Sequence, residues 1–124
     1  MSEYGVIIVS HAQKVAAGIV ELIREVAPDV AITFVGGTDD GGIGTSFEQI
    51  AQVIADNPKE QLFAFFDLGS AKMNLEIAIE MSEKQIELMS VPILEGSYTA
   101  AALLQANAES QLIKKELAVM QINK

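Results

Sequence analysis

The sequence contains a single histidine, His11, in the segment IIVSHAQK, where only Ser10 separates it from the apolar run Val6–Val9. A neutral imidazole is a nucleophile that can carry a phosphoryl group as a covalent intermediate. Asp67 likewise follows an apolar run, in the segment LFAFFDLG. A carboxylate beside one ring nitrogen selects the tautomer and leaves the lone pair of the other nitrogen outward. We therefore predict that Asp67 orients His11 and that Nε2 accepts a phosphoryl group.

Two loops contain small residues that suit an approaching anion. The segment GGTDDGGIGTS, residues 36–46, has five glycines and precedes a predicted helix, so its amides can come close to a phosphoryl group. No lysine follows its last glycine, which excludes a nucleotide-binding P-loop. The second loop, DLGSAKMN, begins at Asp67. The predicted phosphate-binding residues are Gly44, Thr45, Ser46, Gly69 and Ser70.

Four apolar runs predict the strands that must position these residues. They are Gly5–Ser10, Ala31–Val35, Leu62–Phe66 and Ile86–Val91. The first and third runs hardly alternate in polarity, which is typical of strands covered by helices on both faces. Strands that alternate with helical segments predict an α/β fold, here an open, doubly wound parallel sheet in the order 2-1-3-4. The carboxyl ends of its strands should then bring His11, the glycine-rich loop, Asp67 and Glu95 to one edge.

Hydroxyl residues mark where the helices are expected to begin. The predicted N-caps are Ser10, Thr45, Ser70 and Ser97, of which the first two start capping-box patterns with Gln13 and Glu48. The later helices are expected at about 71–83, 98–106 and 109–120. This interpretation places His11 in a first helical turn, where the helix dipole disfavours a protonated ring and stabilises an attached dianion.

The composition argues against several classes of function. The 17 acidic and 8 basic residues give a formal charge of −9, which repels nucleic acid. The absence of cysteine excludes disulfides and thiolate sites and fits a cytoplasmic protein, and one histidine among scattered carboxylates predicts no metal site. No apolar run is long enough to span a membrane. A single domain over residues 1–124 is expected.

Each candidate residue also has a purely structural alternative. His11 can end a strand with its ring satisfied by backbone groups, and Asp67 can be a loop-forming residue after a strand. The glycine-rich loop can be a flexible turn, and its hydroxyl residues can simply cap helices. A non-catalytic interaction domain with this fold is a further alternative. Because His11 and Asp67 each have a structural alternative when taken alone, their pairing is more informative about function than either residue.

The segments VIIVSH, GGIGTS, DLGSAKMN and VPILEG resemble, in order, motifs of the phosphotransferase subunit of the phosphoenolpyruvate-dependent dihydroxyacetone kinase. This family is related to the mannose-type enzyme IIA domains of the sugar phosphotransferase system. The resemblance implies a doubly wound homodimer that accepts a phosphoryl group on His11 from the phosphocarrier protein HPr. It further implies transfer to ADP bound on a companion kinase subunit. The chain itself is then expected to hold no cofactor beyond transient phosphohistidine.

A mannose-type enzyme IIA, which passes its phosphoryl group to a IIB domain during sugar uptake, is the alternative within the same superfamily. Those domains resemble D-x-x-G-G-S-P in the segment where this chain has Asp67-Leu68-Gly69-Ser70-Ala71, which is one residue shorter. The shorter loop favours the phosphotransferase component of the dihydroxyacetone kinase system. The sequence ends at Lys124 without an HPr-like segment, so the donor is expected to be a separate protein.

Overall fold

Within residues 3–124, the part of the chain that the computed structural model describes, four parallel strands form one sheet. The strands are β1 (Tyr4–Ser10), β2 (Ile32–Gly36), β3 (Gln61–Phe66) and β4 (Gln85–Met89). Their order across the sheet is β2-β1-β3-β4. The predicted α/β fold and strand order are confirmed.

Helices follow the strands in the alternation that the sequence predicts. They are α1 (Gln13–Val26), α2 (Phe47–Asp56), α3 (Lys72–Glu80), α4 (Ile93–Gln105) and α5 (Ser110–Ala118). A 3₁₀ turn over Gly69–Ala71 precedes α3. None of the helices in residues 3–124 combines the length and apolar character that a membrane crossing requires.

The sheet has a separate hydrophobic core on each face. Helices α1, α4 and α5 cover one face, where Val6 and Ile8 of β1 are buried. Helices α2 and α3 cover the other face, where Ile7 and Val9 are buried. All four of these side chains are fully buried, and each contributes roughly 1.5–3 kcal/mol of hydrophobic stabilisation. Two covered faces explain why β1 does not alternate in polarity.

The last helix packs on its own domain. Ile113 and Leu117 of α5 are fully buried in the core that α1 and α4 share. Beyond α5 the chain runs back toward the sheet, where the amide of Ile122 donates to the carbonyl of Ser90 over 2.9 Å. The final residues therefore reach the edge at which β3 and β4 end.

Two predicted N-caps at the first helices are wrong. Helix α1 begins at Gln13 with Ala12 as its N-cap, because Ser10 is still paired in β1 and its hydroxyl donates to a carboxylate. His11 consequently lies before the helix rather than in its first turn. Helix α2 is capped by Ser46, which accepts a bond from the amide of Gln49, and not by Thr45.

The two later N-caps are also wrong. Ser70 lies inside the 3₁₀ turn, and α3 follows it with Ala71 at the N-cap position. Ser97 is buried within α4, where its hydroxyl donates back to the carbonyl of Ile93 over 2.6 Å. Helix α4 begins at Ile93 with Pro92 as its N-cap, and the carbonyl of Pro92 accepts from the amide of Gly96 over 2.8 Å. Hydroxyl residues are ambiguous signals, since they also bond within helices.

Candidate functional site

The pairing of β1 with β3 brings His11 and Asp67 together. In this parallel pair Val9 lies opposite Phe66, so the residues that follow the two strands emerge side by side at the carboxyl edge of the sheet. The Nδ1 atom of the His11 ring lies 2.8 Å from Oδ1 of Asp67. The strand order thus brings into contact two residues that are separated by 56 positions in the sequence.

Both carboxylate oxygens of Asp67 are held by hydrogen bonds. Oδ1 accepts from Nδ1 of His11 and, over 2.7 Å, from the amide of Leu68. Oδ2 accepts from the hydroxyl of Ser10 over 2.7 Å and from the backbone amide of His11 over 2.9 Å. Ser10 is nearly fully buried. Three hydrogen bonds therefore orient the carboxylate, and the His11 ring supplies the fourth.

These bonds outweigh burial in setting the charge of Asp67. Burial alone would raise the pKa of the carboxyl group, but hydrogen bonds from the His11 amide, the Ser10 hydroxyl, the His11 ring and the Leu68 amide lower it below its ordinary value. Asp67 is consequently an ionised acceptor at neutral pH. Its ring partner, Nδ1 of His11, must then donate, which assigns the proton of a neutral imidazole to Nδ1.

The other ring nitrogen of His11 points toward the 3₁₀ turn. Nε2 lies 2.6 Å from the hydroxyl oxygen of Ser70, and with the proton on Nδ1 it is the hydroxyl that donates to the Nε2 lone pair. The His11 side chain is 15% exposed, whereas Ser70 is exposed. Nε2 is therefore held by the rotatable hydroxyl of an exposed residue.

The glycine-rich loop supports the backbone around His11. The amide of Gly44 donates to the carbonyl of His11 over 2.8 Å, and the amide of Gly37 donates to the carbonyl of Ser10 over 3.2 Å. At Gly36 a β-carbon would collide with the backbone of Ala12, so glycine permits the close approach. The loop thus fixes the turn between β1 and α1.

The predicted phosphate-binding residues have different surroundings. Ser70 contacts the His11 ring, and Gly69 precedes it in the same turn. Gly44 uses its amide on His11, and Thr45 accepts a 2.9 Å bond from the side chain of Asn74. Ser46 caps α2. Direct binding of phosphate by these five residues stays a prediction.

Sequence reasoning missed two polar residues of this edge. The sequence predicts Ser10 as a helix cap, yet its hydroxyl donates to Asp67. Lys124 comes from the far end of the chain, and its ammonium donates to the carbonyls of Phe66 and Val91 over 2.6 and 2.7 Å. A hydroxyl after an apolar run could have suggested the first residue, but no sequence signal indicated the second. Glu95 is exposed in the first turn of α4, which begins at this edge.

The residues at this edge suit a covalent carrier better than a metal centre. Among residues 3–124, no group of three or more His, Cys, Asp and Glu side chains could hold a metal ion. A histidine with one nitrogen bonded to a carboxylate and the other at the surface suits nucleophilic attack. The arrangement can therefore accept and release a group at Nε2.

The sequence pattern of the family described as the PTS system fructose IIA component, a mannose-type enzyme IIA family, matches residues 5–114. The chain belongs to this family. The match includes both strands that carry the site, so His11 and Asp67 lie within the family's domain.

Two relatives of this IIA-family chain have closely similar names. It is 47% identical over 121 residues to the "PTS-dependent dihydroxyacetone kinase, phosphotransferase subunit DhaM" of Lactococcus lactis, and the aligned region covers 98% of each chain. It is 48% identical over 119 residues to the "PEP-dependent dihydroxyacetone kinase 1, phosphoryl donor subunit DhaM" of Listeria innocua, which covers 96% of each.

Solved structures share the fold of this IIA-family chain. A crystal structure of a protein of unknown function matches it with a TM-score of 0.81 at 27% identity and covers 98% of both chains. A sigma-54 interaction domain protein from Enterococcus faecalis matches it with a TM-score of 0.73 at 14% identity, over 94% of this chain and 88% of the other. The second likeness shows the fold alone.

Proposed function

We propose that this chain is the phosphoryl donor subunit of a phosphoenolpyruvate-dependent dihydroxyacetone kinase and carries the phosphoryl group on Nε2 of His11. The observation that carries the proposal is the His11 ring itself, with Nδ1 bonded to the Asp67 carboxylate at 2.8 Å. The names of the two relatives, at 47% and 48% identity, supply the reaction class. They do not favour a mannose-type IIA that passes phosphate to a IIB domain.

In the loading step, the lone pair of Nε2 attacks phosphorus and a nitrogen–phosphorus bond forms. The bond between phosphorus and the donor breaks, and its electron pair leaves with the donor. Because Nδ1 keeps its proton, the phosphorylated ring gains positive character, which the Asp67 carboxylate stabilises at 2.8 Å. Unloading reverses these changes, so Asp67 assists both steps without giving up or taking a proton.

Ser70 changes partner during this cycle. In the unloaded state its hydroxyl occupies the Nε2 lone pair at 2.6 Å, and it must turn away before phosphorus can approach. A serine hydroxyl rotates freely and can then donate to a phosphoryl oxygen. Ser70 therefore exchanges one acceptor for another, and the lone pair of Nε2 is protected until a donor arrives.

The same reaction class supports a proposal for the partners. We infer that HPr is the donor, that the acceptor is ADP held by a companion kinase subunit, and that the chain acts as a homodimer in the cytoplasm. Under this proposal the chain holds neither nucleotide nor metal of its own, and its loops from residues 36–46 and 67–74 face the incoming phosphoryl group. The site lies at an exposed edge of the sheet, where two proteins can present their reacting atoms to one another.

A labelling experiment tests this function. The chain is incubated with radiolabelled phosphoenolpyruvate, enzyme I and HPr, and then with the kinase subunit and ADP. We expect an acid-labile label that is absent from His11→Ala and that ADP removes only when the kinase subunit is present. A wild-type chain that takes up no label, or equal labelling of His11→Ala, would refute the carrier function. Removal of the label by a IIB domain instead would support the alternative carrier.

A further inference from the structure

Lys124 binds the backbone on both sides of Asp67. Its ammonium nitrogen lies 2.6 Å from the carbonyl oxygen of Phe66 and 3.3 Å from that of Asp67. A third bond, of 2.7 Å, reaches the carbonyl of Val91 in the loop after β4. An ammonium group has three hydrogens, and here each has a carbonyl acceptor. Lys124 thus joins the ends of two neighbouring strands.

The segment that carries Lys124 is itself tied to the site. The amide of Ile122 donates to the carbonyl of Ser90 over 2.9 Å, and the ammonium of Lys72 lies 3.4 Å from the Lys124 carbonyl oxygen. A β-carbon on Gly69 would come within 3.3 Å of the Lys124 backbone. The chain therefore passes directly beside the turn that holds Ser70.

The charge of Lys124 is placed where negative charge accumulates. Asp67 is ionised, and a phosphoryl group on His11 adds further negative charge beside it. The ammonium lies 4.4 Å from the centre of the Phe66 ring. Burial lowers the pKa of Lys124, and the electrostatic interaction with Asp67 offsets part of that lowering. In a chain with a formal charge of −9, this cation counters the local excess of negative charge.

We propose that Lys124 is a positioning residue for phosphoryl transfer, which holds the turn that carries Asp67 and Ser70 and offsets the charge of the loaded site. This inference rests on the proposed carrier function. Lys124 acts through Asp67 and the backbone, and its role requires the ammonium group rather than the length of the side chain alone.

The absence of cysteine from the chain permits a direct test. In Lys124→Cys the introduced thiol is unique, so bromoethylamine restores an ammonium at nearly the original length and iodoacetamide gives a neutral side chain of similar size. Lys84 provides the matched control, because its ammonium also donates to backbone carbonyls, those of Ile54 and Asn57 at 2.7 and 2.6 Å. Lys84→Cys receives the same two treatments.

We expect the neutral Lys124→Cys adduct to slow phosphoryl transfer from HPr about tenfold, as loss of a supporting partner commonly does, and the ammonium adduct to transfer within about twofold of the wild type. Neither Lys84→Cys adduct should change the transfer rate. Equal rates for the two Lys124→Cys adducts, or a similar loss from neutral Lys84→Cys, would overturn the positioning role. If the neutral adduct does not fold, Lys124→Met retains the apolar stem over Phe66 and serves as the uncharged variant.

A second measurement separates this inference from the carrier function. Phosphoramidate phosphorylates histidine chemically, so the hydrolysis rate of phosphorylated His11 can be measured without protein partners. We expect hydrolysis to change at least threefold in the neutral Lys124→Cys adduct and to recover in the ammonium adduct. The ¹⁵N shifts of the unphosphorylated ring report whether the proton stays on Nδ1. Unchanged hydrolysis and shifts would refute the role of Lys124 even if HPr proves not to be the donor.

Discussion

The two edges of the sheet carry similar polar groups with different consequences. At the amino edge, the side-chain amide of Asn57 bonds the carbonyls of Val6 and Ala31 over 3.2 and 3.3 Å, and Lys84 donates to the carbonyls of Ile54 and Asn57. At the carboxyl edge, Lys124 donates to three carbonyls in the same way. At each edge, therefore, a lysine donates to backbone carbonyl oxygens.

The difference lies in what the polar groups leave available. Asn57 is 1% exposed. Its side-chain oxygen accepts from the amide of Lys59 over 3.1 Å, and its side-chain nitrogen also donates to the Thr33 hydroxyl over 3.3 Å, so its polar side-chain atoms all have partners inside the protein. At the other edge the network ends in Nε2 of His11, which meets only a rotatable hydroxyl. The comparison teaches that a satisfied polar network becomes a site when its last member is a nucleophile at the surface.

Replacement of the nucleophile should have the largest effect. We expect His11→Ala to abolish labelling by phosphoenolpyruvate, enzyme I and HPr, because no other histidine is present in the chain. The mass of the intact chain after labelling measures the effect, and urea unfolding shows whether the variant is folded. A folded variant that still gains an acid-labile phosphoryl group would place the nucleophile elsewhere.

Asp67→Asn should slow transfer by about 10–100-fold. An asparagine can keep one carbonyl acceptor, but its NH₂ group cannot accept from the Ser10 hydroxyl and the His11 amide, which Oδ2 of Asp67 does now. Rapid-quench measurement of transfer from phosphorylated HPr gives the rate. A variant with the wild-type rate would show that the ring needs no negative partner.

At the amino edge, Asn57→Ala should reduce stability and leave the chemistry intact. The carbonyls of Val6 and Ala31 would each lose one donor, and loss of a typical hydrogen bond costs about 0.5–1.5 kcal/mol in the free energy of unfolding. Urea unfolding measures this loss, and the transfer rate is compared at a temperature where the variant is fully folded. A tenfold slower rate in the folded variant would contradict the separation of the two edges.

Ser70→Ala should have a smaller effect on transfer. Loss of one hydroxyl bond to the loaded phosphoryl group is equivalent to about 0.5–1.5 kcal/mol, or roughly two- to tenfold in rate. Ser82→Ala, in the loop before β4, serves as a control, since its hydroxyl accepts from the amide of Lys84 at the other edge. Faster transfer in Ser70→Ala would mean that the hydroxyl acts mainly by blocking Nε2.

The smallest effect should appear in the pH dependence of stability. Because the folded-state pKa of Asp67 lies below the ordinary value of 3.8, its carboxylate stabilises the fold fully above that value and loses the contribution as pH falls through the folded-state pKa. The advantage of the wild type over Asp67→Asn in urea unfolding should therefore shrink in acid. An advantage that does not change between neutral and acidic pH would contradict this linkage.

Some structural features can be predicted from the local sequence pattern, whereas others depend on contacts that the local sequence does not reveal. Strand β1 is predictable because two covered faces demand a run of apolar residues, and Val6–Val9 is such a run. The starts of the helices are not, because a serine bonds equally well to an amide, a carboxylate or a preceding carbonyl. Ser10, Ser70 and Ser97 each have a different partner from the one that capping predicts.

The sequence by itself determined the alternation of strands and helices, the strand order through the handedness of crossovers, and hence the meeting of His11 with Asp67. These conclusions depend on hydrophobic periodicity and chain topology, which are properties of the linear pattern. Only the tertiary structure decided that Ser70 holds Nε2 and that Lys124 holds the peptides beside Asp67. The partners of the Ser70 hydroxyl and the Lys124 ammonium depend on angstrom-scale packing, which residue types and spacing do not specify.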